Sequence, residues 1–240
     1  MRGVFIDANK SLADIFERQN KPGDPAVRVN RDPDIAPDQI PALLDGAEIV
    51  IIDHTALPTE IARRCHGLKH VVFLGTGARS YMNPEELGEL GIEVHLIKGY
   101  GDTAVAECAI ALMWAAARGI AQMDREMRAG NWLREDGMQL TGKTLGLIGF
   151  GGIAAMKPGV LLVNTARGAV VDEAAMIEAL KSGHIRHAGL DVFNIEPLPK
   201  DHVLTTLSNV TLSAHSAFRT PEASENLIQA AWEHCRRIAK

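Results

Sequence analysis

The chain has 240 residues, 46% apolar and 23% charged, enough to bury one large core or two smaller ones. Its net charge of -5 at pH 7 offers no basic surface for nucleic acid or an anionic membrane. Three widely spaced cysteines, Cys65, Cys108 and Cys235, are odd in number, which argues against a disulfide framework or a zinc site and for buried thiols in a reducing compartment. The N-terminal MRGVFIDANK has no long apolar signal core, and the most apolar stretch, 104–117, contains Glu107 and reads as a buried helix. The expectation is a cytoplasmic protein.

In chain order, GVFIDA (3–8), AVRVN (26–30), AEIVIIDH (47–54), KHVVFLG (69–75) and IEVHLI (92–97) read as strands, apolar enough to be covered on both faces. Helical patterns separate them at 11–19, 37–44, 59–65 and 84–90. The last has Asn83 as cap, Pro84 in its first position and Glu86 to close a capping box. Strand–helix alternation predicts right-handed crossovers and a parallel sheet, so residues 1–98 form one small doubly wound unit. A long helical stretch follows over 103–129, with a break expected near Gly119. A second alternating series begins at TGKTLGLIGFG, with further strands at 159–166, 187–193 and 209–215. Asp172 caps a helix that stops at Gly183, and Thr220-Pro221 opens a final helix whose Leu227, Ile228, Ala231, Trp232, Cys235 and Ile238 share one face.

The stretch GFGGIAAMKPGV (149–160) does not read as continuous. Gly149, Gly151, Gly152 and Ile153 suit a turn that leaves a strand and opens a helix whose amides face a pyrophosphate. Pro158 follows seven residues after Gly151 and stops any helix there. A parallel crossover needs at least about a dozen residues. The helix, a second strand and the acidic residue that holds a ribose are therefore absent between about 154 and 156. Intact patterns on both flanks favour a missing segment over a chain that folds without one.

The blocks GVLLVNTARGAVVDEAAMIEAL, HAGLDVFNIEP and LSAHSAF, with LTGKTLGLIGFGGI before them, resemble the D-isomer-specific 2-hydroxyacid dehydrogenases. The resemblance covers nearly the whole chain. It implies two Rossmann-like α/β domains: a discontinuous substrate domain from 1–98 plus 222–240, and an inserted dinucleotide domain from 99–221, here incomplete. The implied cofactor is NAD or NADP, the implied substrate a small 2-keto or 2-hydroxy acid, and the implied assembly a homodimer paired through 103–129.

Elementary chemistry agrees with that resemblance. Reducing a 2-keto acid needs a cation for the carboxylate, a proton donor for the forming alkoxide and a nicotinamide for the hydride. Arg167 follows a strand, and its planar fork suits a carboxylate. His215 ends another strand, and Glu196 lies after the strand that carries Asp191. A carboxylate beside an imidazole orients the ring and fixes its tautomer. Each residue alone is more often structural; three at strand C-terminal ends in one domain are hard to explain as accidents. In the family, the matching positions are the carboxylate-binding Arg, the acid–base His and its Glu partner. The same comparison puts Thr103, Thr165, Ala166 and Asp191 (the residue that bonds the carboxamide) beside the cofactor. It puts Gly75, Thr76 and Gly77 on the substrate. Arg79 is a departure, since aspartates usually follow that glycine pair, and it puts the usual substrate spectrum in doubt. No metal is expected. The competing reading is a dinucleotide-sensing scaffold without turnover; a formate-oxidising relative is disfavoured because the block near the histidine holds Glu196 rather than an amide.

Overall fold

A computed structural model of the chain describes residues 1–134, 136–144 and 158–239. They divide into two compact units, Met1–Gly101 with Thr220–Lys240, and Asp102–Arg219.

The first unit is built on a five-stranded, all-parallel sheet ordered β2-β1-β3-β4-β5, from β1 (Arg2–Phe5), β2 (Ala26–Val29), β3 (Ile49–Ile52), β4 (His70–Phe73) and β5 (Glu93–Leu96). The central strand β3, Ile-Val-Ile-Ile, is fully buried on both faces, as its unbroken β-branched run requires. The outer strand β2 alternates exposed and half-buried residues instead, because it has a neighbour on one side only.

Alternate residues of the sheet feed two cores. Val4, Val50, Val71 and Phe73 face α2 (Ile40–Leu44), α3 (Thr59–Ala62) and α4 (Pro84–Glu89). Phe5, Ile51 and Val72 face α1 (Lys10–Arg18) and the C-terminal α8 (Pro221–Ile238). The apolar stripe on α8 is buried here: Trp232 stacks on Phe16 at 4.2 Å between ring centroids and donates its indole N–H to the Phe16 carbonyl at 2.9 Å. The last helix of the chain thereby completes the core of the first unit.

The helical stretch expected over 37–44 is a 3-10 turn (Pro37–Gln39) followed by the short α2. Pro41 sits at its second position with no N–H to donate. The stretch expected to 65 leaves α-geometry at Ala62; Arg64 and Cys65 donate three residues back instead of four. Asn83 caps α4 as expected, but Glu86 accepts from the side-chain amide of Asn83 at 2.7 Å rather than from its backbone.

The second unit holds α5 (Asp102–Arg118), α6 (Ile120–Arg128), α7 (Glu173–Lys181) and a parallel sheet ordered β6-β7-β8, from β6 (Val160–Asn164), β7 (Ile185–Leu190) and β8 (Val210–Leu212). The long helix breaks at Gly119, whose φ of 62° is left-handed and strained for any other residue; α5 and α6 meet there at a 65° bend. No single described helix is long and apolar enough to cross a membrane. Asp172 caps α7 through Ala175 N–H at 3.0 Å, and Thr220 caps α8 through Ala223 N–H at 3.1 Å. All three strands are shorter than the alternating patterns suggested, because the chain turns out of the ladder at 165–168, 191–196 and 213–217 into loops at the strands' carboxyl ends.

Of the cysteines, Cys65 and Cys235 are buried free thiols, and burial pushes their pKa values up to about 11 and about 12. Neither is a thiolate at neutral pH.

Candidate active site

Backbone bonds lace the carboxyl ends of the three strands in the second unit together. The Asp191 N–H donates to the Asn164 carbonyl at 3.0 Å, and the His215 N–H donates to the Asp191 carbonyl at 2.8 Å. In an open parallel sheet this end is where ligand groups gather. His215 holds a left-handed φ of 47°, uncommon for a residue with a side chain.

The buried carboxylate of Asp191 holds that turn. One oxygen accepts the Ser213 hydroxyl and the Ser216 N–H at 3.0 Å; the other accepts the Ala217 N–H at 2.9 Å. Asp191 was expected beside a cofactor carboxamide. The structure occupies both of its oxygens with the 213–217 turn, and the residue is 0% exposed.

Glu196 and His215 meet as a pair. His215 Nδ1 lies 2.6 Å from Glu196 Oε2, and Glu196 Oε1 accepts the Phe193 N–H at 2.8 Å. The carboxylate is thus anchored on its own loop while it holds the imidazole. About a third of each side chain remains exposed, so the pair is reachable from solvent.

Asn164, at the end of β6, shapes the neighbouring loop. Its side chain accepts the Ala166 N–H at 3.0 Å and donates to the Arg167 carbonyl at 2.9 Å, which winds Thr165 and Ala166 into a tight turn. Arg167 is exposed at its tip and donates to the Ala166 carbonyl at 2.7 Å. Gly168 presses against the loop that carries Glu196: a Cβ there would overlap the backbone of Phe193 and Asn194. Only glycine allows the two loops to pack. Asn164 and Gly168 stand inside the NTARG block, yet their roles come from contacts to distant loops that local spacing does not show.

The remaining predicted positions fall as follows. Thr103 is exposed in the first turn of α5. In the first unit, Gly75, Thr76 and Gly77 follow β4; Gly75 is buried and accepts the Ile97 N–H at 3.1 Å, while Thr76 is exposed. Arg79 forks onto Glu85, with one of its two bonds at 2.8 Å, so its guanidinium is engaged on its own surface. Gly149, Gly151, Gly152 and Ile153 lie outside the described residues, as does the expected interruption.

The second unit is thus a parallel α/β unit with a histidine–carboxylate pair and an arginine at its strand ends, and comparisons with known proteins place the chain in a family. The sequence model described as "D-isomer specific 2-hydroxyacid dehydrogenase, NAD binding domain" matches residues 110–155 and 152–217, two stretches that overlap at 152–155. A D-3-phosphoglycerate dehydrogenase of Archaeoglobus fulgidus is 30% identical over 80% of this chain and 49% of its own length. A glyoxylate reductase of Thermococcus litoralis is 30% identical over 65% of this chain and 70% of its own. Among solved structures, D-2-hydroxyisocaproate dehydrogenase shares the fold with a TM-score of 0.83 at 18% identity, covering 100% of this chain and 97% of that one. The chain belongs to the D-isomer-specific 2-hydroxyacid dehydrogenase family. It spans about half the length of the phosphoglycerate dehydrogenases it matches.

Proposed function

We propose that the protein reduces a small 2-keto acid to its D-2-hydroxy acid, with Arg167, Glu196 and His215 as its working residues. The observation that carries this reading is the 2.6 Å contact between His215 and Glu196 at the carboxyl end of the parallel sheet. With Nδ1 held by the carboxylate, Nε2 is the nitrogen positioned to give its proton to the substrate oxygen. The Arg167 fork holds the substrate carboxylate, and its charge draws electron density from the adjoining carbonyl. Glu196 offsets the imidazolium charge before transfer and orients the ring after it. NAD or NADP supplies the hydride when bound, and the strand-end loops at 165–166 and the first turn of α5 at Thr103 suit its nicotinamide side: they combine backbone polar groups with an exposed hydroxyl. The grip on its phosphates belongs to the glycine turn at 149–153 and to the crossover expected after it.

The test couples intact mass to turnover. NADH and NADPH oxidation would be followed with glyoxylate, hydroxypyruvate and pyruvate. A chain some tens of residues heavier than 25.9 kDa should turn over at least one of them; if it does not, the enzyme reading fails. A chain at 25.9 kDa should bind neither dinucleotide in a calorimeter. Binding would refute the inferred need for a crossover.

We further propose that two copies pair through α5 and α6. Ile110, Trp114, Ile120 and Met127 are each about half exposed on these helices, and Trp132 just beyond them is 75% exposed. A surface so apolar calls for cover. Light scattering at micromolar concentration should give twice the chain mass; a monomer refutes it.

A further inference from the structure

The sheet of the first unit carries a second cluster of chemically capable groups, at the opposite end of β4 from Gly75–Gly77. His70 opens β4 and Glu93 opens β5, and the register pairs these two directly. His95 pairs with Val72, so with the two-residue side-chain period His70, Glu93 and His95 project from one face of the same strand pair. His70 Nδ1 lies 3.2 Å from His95 Nε2, and Glu93 Oε2 lies 3.7 Å from each of these nitrogens.

We propose that His70, Glu93 and His95 form a site for one divalent zinc-class ion, which clips the edge strand β5 to β4. Zinc bonds imidazole nitrogen and carboxylate oxygen at about 2.0–2.1 Å, and tetrahedral geometry then separates neighbouring ligand atoms by about 3.3 Å. The three observed separations bracket that value, so the ligand atoms already stand nearly where a metal needs them. Two imidazoles and a carboxylate suit a borderline ion better than calcium or magnesium, which take oxygen. A water completes the set on the open side, where Glu93 is 67% exposed.

His95 is buried and His70 half-buried, so packing already holds two of the three ligands in place. A ligand histidine must be neutral, and a neutral pair shares one N–H between the facing nitrogens. A bound ion replaces that proton. His234 of α8 stands beside His95 at 5.5 Å between ring centroids, and Arg237 contacts its Nδ1 at 2.8 Å. That cation limits the site to the three groups on the strands. β5 pairs with β4 alone, so the ion would secure an edge strand of the sheet.

The test uses the full chain, stripped with a chelator and titrated with Zn²⁺ by calorimetry, with Co²⁺ as a visible reporter of four-coordinate geometry. One equivalent should bind and raise the melting temperature. Glu93→Gln, at an exposed position that leaves the fold intact, should weaken binding by about 10-fold or more; His95→Gln should abolish it and with it the cobalt absorption. His215→Ala should retain the equivalent, which separates this site from the His215–Glu196 pair. No binding at tens of micromolar zinc, unchanged binding in both strand variants, or loss in His215→Ala would each overturn the proposal. None of these readouts requires dinucleotide or turnover.

Discussion

Replacing Asp191 by Asn tests how His215 is held. The two residues are isosteric, but the amide exchanges one acceptor oxygen for a donor. In the native turn one oxygen serves Ser213 and Ser216 and the other serves Ala217. Whichever way the amide lies, its NH2 faces a backbone N–H that was bonded. One hydrogen bond to a charged group is lost, about 1.5–3 kcal/mol, and a buried N–H loses its partner, about 1–3 kcal/mol. The total, about 2.5–6 kcal/mol, is divided between unfolding and relaxation of the turn. If the fold takes 3 kcal/mol of it, the melting temperature falls by roughly 6–12 °C. If the turn relaxes, His215 leaves its left-handed conformation and the 2.6 Å contact with Glu196, and kcat falls with little change in cofactor affinity. Thermal melts, kcat and calorimetric dissociation constants for NADH or NADPH, measured side by side on Asp191→Asn, distinguish these outcomes. A variant that keeps its melting temperature and kcat but binds dinucleotide more weakly would refute the clamp. It would favour the carboxamide contact that the family resemblance implies.

Three further outcomes are expected. His215→Ala should lower turnover by about 10²-fold or more, with the melting temperature nearly unchanged because the side chain is about a third exposed; unchanged turnover would exclude the proton-transfer role. Arg167→Lys should raise KM for the keto acid, because a point charge replaces a fork, and leave the cofactor dissociation constant unchanged; the reverse pattern would make Arg167 a cofactor ligand. His187 is buried on β7, 3.0 Å from Thr211 Oγ1, and burial, then Arg125 and Arg186, hold its pKa down to about 4. The unfolded chain therefore takes the proton first: stability is complete above about pH 6.5 and falls by up to about 3 kcal/mol as pH drops to about 4. Urea unfolding of His187→Gln across that window should show a correspondingly flatter acid limb, and an unchanged limb would remove His187 as the cause.

The strands were legible because an apolar, β-branched run such as 49–52 has no other comfortable place than the middle of a parallel sheet. Helix starts were legible where one side chain does the capping, as at Asn83, Asp172 and Thr220. Element ends were less so, because they are set by partners outside the element. Pro41 breaks the 37–44 pattern from within, and the carboxyl ends of β6, β7 and β8 are shortened by turns that bond to one another. Site chemistry divides in the same way. Arg167, Glu196 and His215 could be named from residue type and order, but that Glu196 anchors on the Phe193 N–H and meets Nδ1 depends on two loops folded together. Asp191 shows the limit: its place in GLDVF announces an important carboxylate, yet only the course of 213–217 shows which donors reach it. The His70–Glu93–His95 cluster was invisible for the same reason. Its members sit on separate strands, and a sheet register slipped by one residue would turn the histidines to opposite faces. Sequence shows most clearly what one element needs for itself, whereas the chemistry of both clusters arises where elements meet, so their tests must alter contacts between strands and loops rather than the residues' types alone.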